Sequence, residues 1–151
     1  MPDKSKIKFR NFEEKDLDKI LKFKETSAEI SFPGLDIDTN LFKKRLLNKV
    51  RNDPNSVKVA ELDSEIIGYV FLEIKKGTTG PIGYINHVFV SEPYRKSGLG
   101  TMFMQIAEDY LKSRGIKRVR VTVTKTNKVS LKFCKKNGYT EKRLILEKPL
   151  N

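Results

Sequence analysis

The sequence predicts a mixed α/β domain, an α+β arrangement of helices packed around a mostly antiparallel sheet. Three observations predict it. The chain has 151 residues, enough for one core-bearing domain and too few for two comfortable ones. Strand-like alternation and helical stripes follow one another in the order β-α-α-β-β-β-α-β-α-β. A strand-to-helix junction, "YRKSGLG" at Tyr94–Gly100, combines two glycines with two cations. No repeat, low-complexity tract or linker interrupts the pattern, so a single domain over residues 1–151 is expected.

The elements follow in order. "IKFRNF" (Ile7–Phe12) alternates apolar with basic or polar residues and reads as a short strand. In "EEKDLDKILKFKETSAEI", Leu17, Ile20, Leu21 and Ala28 fall near one helical face, with acids in the first turn where the helix dipole favours them. "SFPGLDID" breaks that helix at Pro33-Gly34. Asp38 or Thr39 then caps a second helix carrying Leu41, Phe42, Leu46 and Val50, which "NDPNS" stops. "VKVAELDSEIIGYVFLEIKKG" reads as a hairpin turning at Asp63-Ser64-Glu65, and "TTGP" leads into a strand, "IGYINHVFV", ending at Val90. From Leu99 to Arg114, Leu99, Phe103, Ile106, Tyr110 and Leu111 form a helical stripe that Gly115 ends. "IKRVRVTVT" alternates as a strand, a short helix runs from Asn127 to Lys136 and stops at Gly138, and "YTEKRLILEKPL" closes with strand character.

Composition bounds the function. With 38% hydrophobic and 33% charged residues, and no apolar run near the ~20 residues of a membrane span, the chain reads as a soluble protein without a membrane partner. "MPDKSKIKFR" lacks the apolar core of a secretory signal. A single cysteine, Cys134, excludes an internal disulfide and suits a reducing setting, so a cytoplasmic location is expected. One histidine and one cysteine do not make a zinc cluster of the usual type, and no metal is expected. The net charge of +12 favours an anionic partner: nucleic acid, an acidic membrane surface or a phosphorylated small molecule. The lysines are scattered, with no run of five or six, and that spread favours a solvated surface instead. No RRM, KH or helix-turn-helix signature is present, which places a nucleic-acid-binding domain last among the readings.

At the glycine junction, Gly98 and Gly100 permit backbone conformations and close approaches closed to other residues. The N–H groups at the helix start lack helical partners, the dipole adds positive potential, and Arg95 and Lys96 add full charges. That is an anion site suited to a pyrophosphate. A Rossmann fingerprint would need glycine where Phe103 stands, and a P-loop would need Gly-Lys-Ser or Gly-Lys-Thr. By itself the loop reads equally as a tight strand-to-helix turn.

The neighbourhood decides between them. "HVFVSEPYRKSGLG" (His87–Gly100), then an amphipathic helix, a strand, "TNKVSLKFCKKNGY" (Thr126–Tyr139) and a final strand, resembles the GNAT superfamily of CoA-dependent N-acetyltransferases. The family signature, Arg/Gln-x-x-Gly-x-Gly/Ala, reads here as Arg95-Lys96-Ser97-Gly98-Leu99-Gly100, and the likeness extends over essentially the whole chain. The resemblance implies a mixed sheet of six to seven strands flanked by about four helices. It implies acetyl-CoA as cosubstrate, with its pyrophosphate on the amides from Lys96 through Thr101 and its pantetheine arm beside Val88, Phe89 and Val90. Asn127 matches an asparagine that contacts the same arm; the residue also suits a helix N-cap, and both roles are compatible. On the same resemblance, Lys96, and Lys128 or Lys132 on the following helix, would face the phosphates of acetyl-CoA.

The implied activity is acetyl transfer to a primary amine, a protein or peptide α-amine or a small molecule, in a ternary complex. A backbone N–H near Val90 would polarise the thioester carbonyl. Three family positions depart from the pattern. Cys134 stands where a tyrosine commonly protonates the departing thiolate, and Thr122 and Tyr84 stand where glutamate bases occur. Cys134 therefore reads either as a proton donor or as a small buried side chain. His87, the one group with an ordinary pKa near neutrality, reads either as a base acting through water or as a structural histidine. Strand alternation groups it with Ile85 and Phe89, away from Val88 and Val90. Tyr84, Glu73 and Tyr139 are weaker alternatives. A catalytically silent CoA-binding module is the competing reading. The short stretch after Gly138 leaves room for an abbreviated wall, hence an open groove or one completed by a partner subunit in a homodimer.

Overall fold

A computed structural model describes residues 3–151; Met1 and Pro2, the start of the basic N-terminal stretch, lie outside the described residues. Alternation produces five strands: β1 (Lys8–Asn11), β2 (Val57–Leu62), β3 (Glu65–Gly77), β4 (Gly80–Val90) and β5 (Val119–Val121). They form one sheet in the order β1-β2-β3-β4-β5. The first three pairings are antiparallel and β4–β5 is parallel. The β2–β3 turn closes through Asp63 and Ser64, both at positive φ (49° and 67°), the two-residue geometry that matches the twist of a hairpin.

Four helices cover the sheet: α1 (Leu17–Ser31), α2 (Thr39–Asn52), α3 (Leu99–Ser113) and α4 (Lys128–Lys136). A parallel pair needs a crossover, which α3 supplies between β4 and β5. Asp38 caps α2 by accepting the Leu41 N–H at 2.9 Å. The start of α1 is tied to β1 by Arg10, whose guanidinium donates to both Asp16 oxygens at 2.8 and 2.9 Å. Burial alone would raise the Asp16 pKa, but Arg10 and the Glu13 N–H outweigh it and hold the carboxyl below its ordinary range.

The core lies on both faces of the sheet. Val70, Leu72 and Ile85 of the sheet meet Phe103, Ala107 and Leu111 of α3 on one face. Val59, Tyr69 and Phe71 meet Ile20 and Phe23 of α1 and Leu46 of α2 on the other. Among the described residues no helix is long and apolar enough to cross a membrane.

Four expectations need correction. Phe71 pairs with His87 while Leu72 pairs with Ile85, so Asn86 is an extra residue, a β-bulge in β4. The slip changes faces: Ile85 lies with Val88 and Val90 on the α3 side, and His87 shares the α1 side with Phe89 but not with Ile85. The strand read from "IKRVRVTVT" shortens to Val119–Val121, because its partner on β4 is only Gly83–Ile85. The sheet has five strands among the described residues, not six to seven. The chain after Tyr139 meets no sheet edge, so residues 140–151 are neither strand nor helix, and all are exposed.

Candidate functional site

The bulge splits β4 into two halves. Gly83–Ile85 lie between β3 and β5, but from Asn86 to Val90 only β3 is a neighbour. Ser91 donates its N–H to the Ile67 carbonyl at 2.8 Å, so its main chain faces β3. Phe89, two residues back, faces the same way. Val88 and Val90 therefore turn their N–H and C=O groups to the open edge. The Val90 carbonyl meets the Arg95 Nε there, at 2.9 Å. An open edge of this kind pairs with an extended, amide-containing ligand.

Beyond β4 the chain rises into α3 through two left-handed positions, Lys96 (φ 60°) and Gly98 (φ 86°), the latter at the N-cap. The first helical bond runs from the Met102 N–H to the Gly98 carbonyl. The N–H groups of Lys96, Ser97, Gly98, Leu99, Gly100 and Thr101 find no acceptor among the described residues. Converging main-chain donors at the positive end of a helix dipole fit a diphosphate.

The two glycines have separate reasons. A Cβ at Gly100 would lie 3.1 Å from the Phe133 ring, so glycine there lets α4 pack onto the mouth of α3. Above Gly98 sits a cation: a Cβ there would be 3.3 Å from the Lys4 Nζ. Sequence reasoning missed Lys4, which stands far from the loop along the chain and carries no local signature. Arg95 is directed elsewhere than the loop amides, stacked over the Phe89 ring at 5.4 Å. Asn127 is an N-cap, accepting the Ser130 N–H at 3.2 Å.

On the α1 side of β4 a groove of about 400 Å³ is lined by Phe23, Thr26, Glu29, Phe89, Glu92 and Arg95, among others. Its floor is aromatic, Phe23 stacking on Phe89 at 4.6 Å. His87 lies below, with Nδ1 against the Tyr69 hydroxyl and Nε2 2.8 Å from the Ser27 hydroxyl. Burial, and then the charge of Lys24, push its pKa down to about 3, so the imidazole is neutral at physiological pH. Cys134 is buried in α4, and burial raises its thiol pKa. Because the α4 residue Phe133 packs in the α3-side core while His87 faces α1, the two candidates are not brought together. The other titratable candidates are engaged. Glu73 pairs with Lys49 at 2.7 Å and accepts from Asn86 at 2.9 Å. The Tyr84 hydroxyl accepts from Arg120 at 3.3 Å, and Tyr139 donates to Glu108 at 2.7 Å.

The chain is similar to known proteins in sequence and in fold. An uncharacterized N-acetyltransferase of Methanocaldococcus jannaschii is 27% identical over 99 residues, 64% of this chain and 44% of that protein. An N-alpha-acetyltransferase of Sulfurisphaera tokodaii is 28% identical over 96 residues, 58% of each chain. The matched stretch thus spans about half the length of these two relatives. In fold, the chain is similar to a predicted acetyltransferase of Clostridium acetobutylicum solved with acetyl-CoA (TM-score 0.79, 20% identity, 95% and 96% of the two chains). It is equally similar to a GCN5-related N-acetyltransferase of Ralstonia eutropha (TM-score 0.79, 19% identity, 95% and 98%). Residues 18–139 match the profile of the acetyltransferase (GNAT) family, whose members are acyltransferases that use acetyl-CoA. That match covers most of the chain, and the chain belongs to the acetyltransferase (GNAT) family.

Proposed function

We propose that residues 1–151 form a single N-acetyltransferase domain that transfers an acetyl group from acetyl-CoA to a primary amine, with both substrates bound at once. The observation that carries this is the row of unpartnered N–H groups from Lys96 to Thr101, set beside the open edge of β4. When bound, acetyl-CoA supplies an acetyl thioester whose C–S bond is exchanged for a C–N bond to the acceptor. The loop amides hold the diphosphate, with Lys96 and Lys4 adding charge. Val88 and Val90 bind the pantetheine arm through main-chain groups, and the Val90 N–H is the donor for a developing oxyanion. Asn127 reaches the same arm while capping α4. Phe89 serves through its ring, as the floor of the acceptor groove. Holding two reactants in register contributes roughly 7–11 kcal/mol without any acid or base.

The acceptor then has to arrive uncharged. His87 with a pKa of about 3 is too weak a base to take a proton from an ammonium group. A lysine side chain (pKa ~10.4) is neutral in roughly one molecule in a few thousand at pH 7, and an α-amine (pKa ~7.7–8.0) about a tenth of the time. The α-amine of a peptide, or a weakly basic small amine, is the acceptor this site favours. Relatives named N-alpha-acetyltransferase support that reading. Thiol release across a panel of amines tests it: turnover of α-amines is expected, and reaction confined to lysine side chains overturns it.

One observation favours a second reading. Cys134, standing at the tyrosine position, is buried with a raised pKa and is a poor proton donor. Calorimetric binding of acetyl-CoA without thiol release on any amine would establish a catalytically silent module.

A further inference from the structure

The chain has a net charge of +12, yet the surface around the acceptor groove carries the opposite sign. Glu29 and Glu92 line that groove, and its one lining cation is Arg95. A second groove, of about 370 Å³, adjoins it through Glu29 and is lined also by Glu25 and Asp36, with no cation. Glu25 and Glu29 stand one turn apart on α1, a spacing at which like charges repel. All four carboxylates are exposed, and none forms an ion pair among the described residues. Acids elsewhere do: Asp16, Asp53, Glu61 and Glu73 each meet a lysine or an arginine. In a chain with cations in excess, acids left unpaired beside a groove are partners for a cation that arrives with the ligand.

The floor of the groove points to the same ligand chemistry independently. An aromatic face attracts a cation, and the Phe89 ring already holds one, the Arg95 guanidinium 5.4 Å from its centroid. The Phe23 ring, stacked on Phe89, has the Lys19 ammonium 5.7 Å from its own centroid. Rings and carboxylates together draw cations along the path by which the acceptor enters. The reacting amine must be uncharged, so it is not the cation these acids hold. The charge belongs to a second group on the same molecule.

We propose that the acceptor is a peptide whose α-amine is followed, at its second or third position, by a lysine or arginine side chain that Glu29 and Glu92 hold. Successive side chains of an extended peptide point to opposite sides, so one of those two positions faces the acids. Glu25 and Asp36 in the adjoining groove serve a further basic residue beyond it. The proposal rests on transfer to an α-amine and names the sequence that carries it.

Initial rates of thiol release on three short peptides test it. The peptides begin with alanine, carry lysine, glutamine or glutamate at position two, and are otherwise neutral. In the wild type kcat/KM should fall in that order, with roughly tenfold between lysine and glutamate, and the difference should lie in KM. The ratio should narrow as salt rises toward about 1 M, where screening acts within about 3 Å. The double variant Glu29→Gln with Glu92→Gln should bring it close to one, and Glu29→Lys with Glu92→Lys should reverse the order, which loss of a merely structural contact would not do. Equal rates on the three peptides, or a preference for lysine that survives both double variants, would overturn the proposal and leave α-amine transfer standing. A linear polyamine turned over in preference to every peptide would give the groove to a small polycation and overturn it too. No reaction with any α-amine would overturn the underlying reading, and this proposal with it.

Discussion

The first half of β4, Gly80–Ile85, and its second half, Asn86–Val90, share a strand but not a set of neighbours. The first half reaches β5, and Gly83 lies so close under Leu111 that a Cβ would come within 2.6 Å of that side chain. The second half keeps β3 alone and presents the main chain of Val88 and Val90 to an open edge. One inserted residue, Asn86, separates the two. A backbone group buried without a partner costs about 1–3 kcal/mol, so the open half persists only where water or a ligand completes it. The same strand is thus scaffold below the bulge and binding surface above it, and each half should fail in its own way.

The largest effect is expected above the bulge. In Gly98→Val, a β-branched residue is forced to φ 86°, and its Cβ approaches Lys4. The loop amides then lose their convergence. Two charge-assisted bonds lost, at about 1.5 kcal/mol each, weaken acetyl-CoA on the order of 10²-fold by calorimetry. The circular dichroism spectrum should be unchanged. Retained affinity would move the diphosphate off this loop and end the division of labour along β4.

Below the bulge, Gly83→Val should do the opposite. Its side chain must displace Leu111, which is 2% exposed and locked in the α3-side core. Overpacking of this kind costs about 1–3 kcal/mol, visible as a lower denaturation midpoint. The folded fraction should bind acetyl-CoA within about twofold of wild type, since distant sites act independently. Affinity lost out of proportion to stability would show that the halves are coupled.

What the sequence made legible follows the range of the interactions. Alternation and caps are local, so four helices, a turn at Asp63-Ser64-Glu65, the α4 cap at Asn127 and an α2 cap at Asp38 or Thr39 were readable. The structure narrows the turn to Asp63-Ser64 and the α2 cap to Asp38. Gly98 was readable too, because its positive φ demands that residue type locally. The reason for Gly100, the Phe133 ring 3.1 Å from where a Cβ would lie, was not. The bulge was not: an exposed Asn86 in the middle of a strand looks like any outward polar residue, and only the pairing with β3 reveals the slip. Lys4 over Gly98 and Arg95 over Phe89 depend on contacts made after folding. The last segment has strand composition without a strand, since composition cannot provide the neighbour that a ladder requires.

The smallest effect sharpens the comparison from inside the upper half. His87 is the only histidine in the chain, so between pH 7 and pH 5 hardly any other side chain titrates. Its folded pKa of about 3 lies below the ordinary 6.5, because burial and Lys24 disfavour the charged ring. Below pH 6.5 the unfolded chain takes up a proton that the folded chain refuses. Stability is therefore complete above pH 6.5 and is lost as pH falls toward the folded value. Urea denaturation should show a loss of about 1–2 kcal/mol between pH 7 and pH 5 in the wild type, and a nearly flat profile in His87→Gln. The sign carries the argument about chemistry. A ring that worked as a general base near neutrality would keep its pKa close to 7, and the wild-type profile would then be as flat as the variant's. A sloping profile leaves the imidazole as a neutral strut between Tyr69 and Ser27, and leaves deprotonation to the acceptor amine itself.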